Sequence, residues 1–259
     1  MKVHFIGIGG IGLSALARFL NFDGHEISGS DMKSSLITKA LEDEGIKVSC
    51  PQSASNIQDD FDLVIYSAAV TDENPELIEA RLKQIRTLSR KEALPIILGD
   101  KKNYCVAGAH GKSTTTAILA SILESSALIG AISKDFGSNF RYVNKLIAFE
   151  ADESDASFLL SNPYCAIVTN AEPEHMEYYH YDYDKFYGSY ERFISLAKKR
   201  VVNGEDKDIA KLKIEDATYL YPSKDIKNLC YTLKNNQPCT RFDLKDLGTF
   251  EVWGFGFHM

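Results

Sequence analysis

The sequence predicts an α/β protein made of two parallel-sheet domains in series. Apolar strand-like runs alternate with stretches of helical period, glycine-rich loops twice join a strand to a helix, and composition shifts from apolar to charged near residue 99. At 259 residues the chain has room for two ordinary domains, expected at 1–99 and 100–259.

Val3 to Ile6 reads as a buried strand, and Leu13, Leu16, Ala17 and Leu20 form the apolar face of a helix that Gly24 ends. His25 to Ser28 restarts a strand, Ile37 to Glu44 is helical up to Gly45, Leu63 to Tyr66 is a third strand, and Pro75 to Lys83 a further helix. Asn103 to Ala107 opens a second strand-loop-helix unit with Ile118, Leu119, Ile122 and Leu123 on one face. Leu146 to Phe149 and Ala166 to Thr169 are buried-strand candidates, and Phe186 to Lys199 is a helix. Beyond residue 200 short strands follow, including Arg241 to Leu244 and Thr249 to Trp253 around a turn at Gly248.

Lys and Arg number 29 against 36 Asp and Glu, a net charge of −7, so no basic excess points to nucleic acid. The apolar start is broken by glycines, His4 and Arg18, which argues against membrane insertion and leaves the cytoplasm as the expected compartment. Five cysteines without a CxxC pair exclude a disulfide framework and a zinc knuckle and are expected in the core.

Gly7-Ile8-Gly9-Gly10-Ile11-Gly12 fits GxGxxG where a strand meets a helix, so a pyrophosphate could approach backbone N–H groups at the positive helix end. Asp31, 19 residues past Gly12, is placed to accept from a ribose hydroxyl. This is a Rossmann-like pattern; it leaves the nucleotide open, and close helix-sheet packing alone would also use these glycines. Gly108-Ala109-His110-Gly111-Lys112-Ser113-Thr114 is a shortened phosphate loop, GxxGKS, in which N–H groups cradle phosphates, Lys112 supplies a point charge and Ser113 a hydroxyl for Mg²⁺. The second domain is therefore expected to be of the P-loop ATPase type.

Glu150 to Asp155 places four carboxylates in six residues. Such a run is either a solvated acidic loop or, after a strand in the domain of Lys112, a source of the carboxylate that positions Mg²⁺; Glu150, nearest the strand end, is then the candidate. His175 lies past another strand end, although magnesium ordinarily takes oxygen ligands. The tyrosines at 178, 179, 181, 183 and 187 are expected to pack a helix start on the sheet.

Taken in order, HFIGIGGIGLSALA, GSD, SAAV, SRKEAL, GAHGKSTTT, FEADESDASFL and TNAEPEHM, spanning residues 4 to 176, resemble the Mur ligases of peptidoglycan precursor synthesis. The resemblance implies a first domain holding a UDP-sugar, with Gly9, Gly10, Ile11 and Gly12 at the pyrophosphate, Asp31 and the Ser67-Ala68-Ala69 turn near the nucleoside, and Arg90 near the sugar-nucleotide. It implies ATP on Gly108 to Thr114 and Mg²⁺ on Ser113, Glu150 and His175, with Lys112, Glu150 and His175 as catalytic residues. The implied activity joins L-alanine to UDP-N-acetylmuramate at the expense of ATP through an acyl phosphate.

Two departures are visible. The aspartate usual before the magnesium histidine is Glu174, and the family's PGxHN pattern appears as Phe255 to Met259 without Pro and Asn. The family's third, C-terminal domain is expected to be absent, leaving a fragment without full activity. Rival readings are a nicotinamide-dependent oxidoreductase, a non-catalytic nucleotide-binding fragment, and a ligase that recycles preformed peptides onto the same sugar nucleotide.

Overall fold

The computed structural model describes residues 1–99 and 101–253. In the first hundred residues, β1 (Lys2–Ile6) feeds α1 (Ile11–Phe22), followed by β2 (Glu26–Ser30), α2 (Leu36–Asp43), β3 (Lys47–Ser49), β4 (Leu63–Tyr66), α3 (Pro75–Leu82), β5 (Thr87–Ser89) and α4 (Arg90–Leu98). The five strands form one parallel sheet in the order β3-β2-β1-β4-β5. β1 lies at its centre, which is why Val3, Phe5 and Ile6 are completely buried.

The predicted stripe of α1 packs as expected, with Leu13, Leu16, Ala17 and Leu20 all buried. Beneath α3 a second cluster joins Ile6, Ile57, Val64, Leu77 and Ala80. Sequence reasoning missed β3, β5 and α4. The two strands are three residues each and lack an apolar run, and Pro95 inside α4 argues against a helix there. The helix forms because Ser89 and Glu92 make a capping box: the Ser89 hydroxyl accepts from Glu92 N at 3.3 Å and Ser89 N donates to Glu92 Oε2 at 2.8 Å.

Farther along come β6 (Lys102–Ala107), α5 (Lys112–Ile122), β7 (Ser126–Ser133), β8 (Ser138–Arg141), β9 (Leu146–Glu150), β10 (Pro163–Val168), α6 (Tyr183–Leu196), β11 (Lys199–Asn203), β12 (Thr218–Leu220) and the single-turn α7 (Pro222–Asp225). The last elements among the described residues are β13 (Ile226–Lys234), β14 (Gln237–Leu244) and β15 (Gly248–Trp253). Two compact units result. One comprises residues 1–101, 120–149 and 160–162; the other comprises 102–119, 150–159 and the remainder from 163.

Residues 120–149 group with the first unit through α1. Buried Arg18 donates from Nη1 to Asn139 Oδ1, Asn139 Nδ2 donates to Ser14 Oγ at 2.9 Å, and Phe19 meets Phe140 edge-on. Here β7 runs parallel to β9 and antiparallel to β8. In the second unit β6, β10, β11 and β12 are consecutive parallel neighbours, and β13 to β15 make a separate antiparallel sheet. The second unit's aromatic core is Phe158, Tyr179, Phe186, Tyr190 and Phe193. Of the tyrosine cluster only Tyr179 is buried, whereas Tyr178, Tyr181 and Tyr183 are exposed, which corrects the packing expected of all of them.

Cys105, Cys165 and Cys239 are buried, but Cys50 and Cys230 are exposed, the second because its strand lies open to solvent along most of its length. Among the described residues no helix is long and apolar enough to cross a membrane. Phe255 to Met259, where the hinge-side departure falls, lie outside the described residues.

Candidate functional site

The first loop is folded back onto the end of β2. Gly7 N and Ile8 N both donate to Ser30 O, at 2.8 and 2.9 Å, and Gly9 N donates to Asp31 Oδ2 at 2.8 Å. Asp31 is therefore already engaged by the loop it was expected to face across a ligand. No side chain caps α1, whose N-cap is Gly10, so its positive end is left to an incoming anion.

Arg90, at the first position of α4, lies over the start of α1. A Cβ on Gly12 would stand 3.0 Å from Arg90 Nε, so that glycine makes room for a guanidinium. Arg90 Nε is buried without a hydrogen-bond partner. An unpaired donor of this kind is costly, and an acidic ligand group would relieve it.

Beside the loop is a cleft of about 630 Å³. Of the residues expected at the UDP-sugar, Gly10, Asp31, Ser67 and Ala69 line it; Gly9, Ile11, Gly12, Ala68 and Arg90 do not. Gly9 N is taken by Asp31, and Arg90 lies against Gly12. Sequence reasoning missed Pro51, Gln52 and the Thr71 to Pro75 side of the cleft. Asn74-Pro75 carried a usable signal: an N-cap residue followed by Pro at the first helical position, just past a strand end.

In the second unit, the phosphate loop is pressed against the segment after β10. Gly108 has φ +142°, and a Cβ there would come within 2.2 Å of Thr169 Oγ1, so only glycine fits. Thr169 Oγ1 and Asn170 Nδ2 donate to His110 O at 2.7 and 2.9 Å, and His110 N donates back to Asn170 Oδ1 at 3.1 Å. These braces set the loop's shape before any ligand arrives.

Lys112 Nζ donates to Gly108 O at 2.5 Å, Ala109 O at 3.3 Å and Glu153 Oε1 at 2.9 Å, so its three protons are directed into the loop and the protein. Glu153 is 1% exposed and its Oε2 has no hydrogen-bond partner. Burial pushes its carboxyl above the ordinary range, and the nearby Lys112 ammonium only partly offsets that. Burial likewise carries the Tyr179 phenol to about 12, its hydroxyl donating to Glu153 O.

Ser113 Oγ donates to Glu150 Oε1 at 3.0 Å, joining two of the expected magnesium positions through oxygen atoms suited to a hard cation. His175, the third, is an exposed residue with φ 53°, and among the described residues no group of three or more His, Cys, Asp or Glu side chains could hold a metal ion. His110 is half-exposed with Nε2 3.4 Å from Glu174 and 3.6 Å from Glu172, and Thr114 is exposed. The acidic run is not a solvated loop: Asp152 and Asp155 accept from Ser154 N and Ser157 N, and buried Glu153 engages the lysine.

A glycine loop beside an open cleft and a lysine-bearing loop braced by a neighbouring strand end define an α/β protein with two glycine-rich strand-to-helix junctions. A profile described as "Mur ligase family, catalytic domain" matches residues 2–102. The chain is 57% identical, over its whole length and 59% of the relative's, to a Campylobacter curvus protein named UDP-N-acetylmuramate–L-alanine ligase. It is 48% identical to the Helicobacter pylori protein of that name, covering 99% of this chain and 57% of the relative. Among solved structures, the UDP-N-acetylmuramate-alanine ligase of Thermotoga maritima superposes with a TM-score of 0.83 at 28% identity, over 100% of this chain and 62% of that one. The chain is thus similar to the Mur ligase family, by the profile over residues 2–102 and by named relatives along its whole length. It spans about 60% of the length of the curated relatives it matches.

Proposed function

We propose that this chain supplies the UDP-sugar and ATP sites of an enzyme that joins L-alanine to UDP-N-acetylmuramate, acting in the cytoplasm, with residues 1–99 serving the UDP-sugar and 100–259 serving ATP. Similarity along the whole of this chain to relatives bearing that activity in their name carries the reading. The presence of two differently equipped loops in one chain supports it, because a nicotinamide enzyme has no use for the Lys112 loop.

In the proposed reaction the lactyl carboxylate attacks the γ-phosphorus of ATP, giving an acyl phosphate and ADP. The alanine amine then adds to the acyl carbon, and the tetrahedral intermediate expels phosphate as the amide forms and the amine loses its proton. The N–H groups of Gly108 to Thr114 would hold the phosphates, and the Lys112 ammonium, released from Gly108 O and Glu153, would offset charge on the transferring phosphoryl. Ser113 and Glu150 would hold Mg²⁺, which when bound neutralises phosphate charge; His175 is proposed as a further ligand. Arg90 and the uncapped start of α1 would bind the pyrophosphate, with Asp31 and the Ser67-Ala68-Ala69 turn at the nucleoside.

Calorimetric titration of the chain with UDP-N-acetylmuramate, UDP and NADH tests the first site. The sugar nucleotide should bind and NADH should not; tighter binding of NADH would reject the assignment.

A further inference from the structure

The cleft is walled by chain segments distant in sequence, and one buried side chain ties them together. Glu76 stands in the first turn of α3 and is completely buried. Its Oε1 accepts from Asn56 Nδ2 at 2.6 Å and Ser53 N at 3.1 Å, while Ser30 Oγ donates to Oε2 in a short bond. His4 Nε2 lies 3.6 Å from the same oxygen, beyond hydrogen-bond range, with Nδ1 2.9 Å from Ser28 Oγ and its ring stacked on Phe61. Burial pushes the Glu76 carboxyl up, but the surrounding His4, Ser30, Asn56 and Ser53 outweigh it and hold the group below the ordinary carboxylate range.

Two of these partners, and Glu76 itself, adjoin a residue of the cleft. Ser30 precedes Asp31, Ser53 follows Gln52, and Glu76 itself follows Asn74-Pro75. Ser30 has a second function, since its carbonyl takes both Gly7 N and Ile8 N of the glycine loop. One carboxylate thus fixes the β2 end and, through it, the glycine loop, the segment after β3 and the start of α3. An additional tie across the same wall runs from Asn74 Nδ2 to Gln52 Oε1 at 2.8 Å. An apolar residue at position 76 would fill the space but strand three donors that already point inward.

We infer that Glu76 is a positioning residue of the cleft, holding three segments of its wall in the arrangement that receives the UDP-sugar. The inference rests on the proposed reading of the cleft for its ligand, whereas the ordering of the wall is measurable without one.

The test compares the unsubstituted chain with Glu76→Gln, Ser30→Ala and the double variant. It uses calorimetric titration with UDP-N-acetylmuramate, separate titration with ATP and Mg²⁺, and amide hydrogen exchange without ligand. Glu76→Gln should weaken UDP-sugar binding by about 10-fold, the size of one lost charge-assisted bond, while changing ATP affinity by less than about 2-fold. Exchange should quicken at Gly7, Ile8 and Ser53. The double variant should fall short of the summed single effects, because both substitutions break one contact. Unchanged UDP-sugar affinity together with unchanged exchange would overturn the inference, as would equal losses at both ligands. If Glu76→Gln does not fold, Ser30→Ala, which keeps the carboxylate, decides the matter by the same two readouts. Failure of the unsubstituted chain to bind the UDP-sugar would reject the ligand assignment and, with it, the inference's claim on that ligand, while quickened exchange would still uphold the ordering of the wall.

Discussion

The Gly7 to Gly12 loop and the Gly108 to Lys112 loop each carry a strand into a helix, but they differ in where they keep their positive charge. In the first, the cation belongs to another element: Arg90 of α4 lies over Gly12 with a buried, unpaired Nε. In the second, the cation belongs to the loop itself, and Lys112 is turned inward onto two loop carbonyls and buried Glu153. The first loop borders an open cleft with an unmet donor beside it. In the second the lysine's protons are already taken, so a ligand there would have to exchange existing bonds for new ones. On the proposed reading, similar local chain paths would therefore serve two binding modes, one by preformed space and one by displacement.

The largest expected effect lies in the second loop. Lys112→Ala in the whole-length enzyme should remove about 3 kcal/mol or more of transition-state stabilisation while leaving UDP-sugar affinity unchanged. A coupled ADP-release assay beside calorimetry checks this; near-normal turnover would make the loop structural and erase the contrast.

Gly108→Ala should cost about 1–3 kcal/mol of stability, because it combines an unfavourable backbone angle with a Cβ pressed into Thr169. Gly12→Val should instead act on binding, displacing Arg90 and blocking phosphate approach, with a smaller change in melting temperature. Denaturation curves and UDP-sugar titrations of the two variants would sharpen the comparison, and equal stability losses without any binding defect in Gly12→Val would remove Arg90's assigned role.

Arg90→Lys should weaken UDP-sugar binding by about 1.5–3 kcal/mol, since an ammonium cannot reproduce the planar fork. Its ATP affinity should be unaffected, and parallel titrations with the two nucleotides would detect any departure.

The smallest effect separates the two buried glutamates by pH. Glu76, depressed below its ordinary 4.5, contributes stability that is present above that value and lost as pH falls through its folded pKa. Glu153, raised above 4.5, contributes stability that is present below that value and lost as pH rises through its folded pKa. The stability advantage of the unsubstituted chain over Glu76→Gln should thus shrink toward acid, and its advantage over Glu153→Gln should shrink toward neutrality. Urea unfolding from about pH 3 to 7 gives both slopes, and parallel slopes would contradict the opposite environments.

The parallel sheet, both loops and most helices were legible because apolar runs and glycine junctions report directly on strand and helix period. The β3 and β5 strands were not, since strands this short are defined by their neighbours. The α4 capping box was present as Ser89-Arg90-Lys91-Glu92, but Pro95 obscured it. At the sites, sequence position singled out Glu150 from the acidic run because it ends a strand; it gave no sign that Glu153, three residues on, turns inward to Lys112. Glu76 is likewise one acidic residue among many until folding brings Ser30, Ser53 and Asn56 around it.

The most direct test of two loops serving two ligands is calorimetric titration of the unsubstituted chain and of Lys112→Ala, each with UDP-N-acetylmuramate and with ATP in the presence of Mg²⁺. The sugar nucleotide should bind both proteins with the same affinity, and ATP binding should be lost or strongly weakened in Lys112→Ala. Loss of both ligands together, or ATP binding indifferent to Lys112, would contradict the assignment.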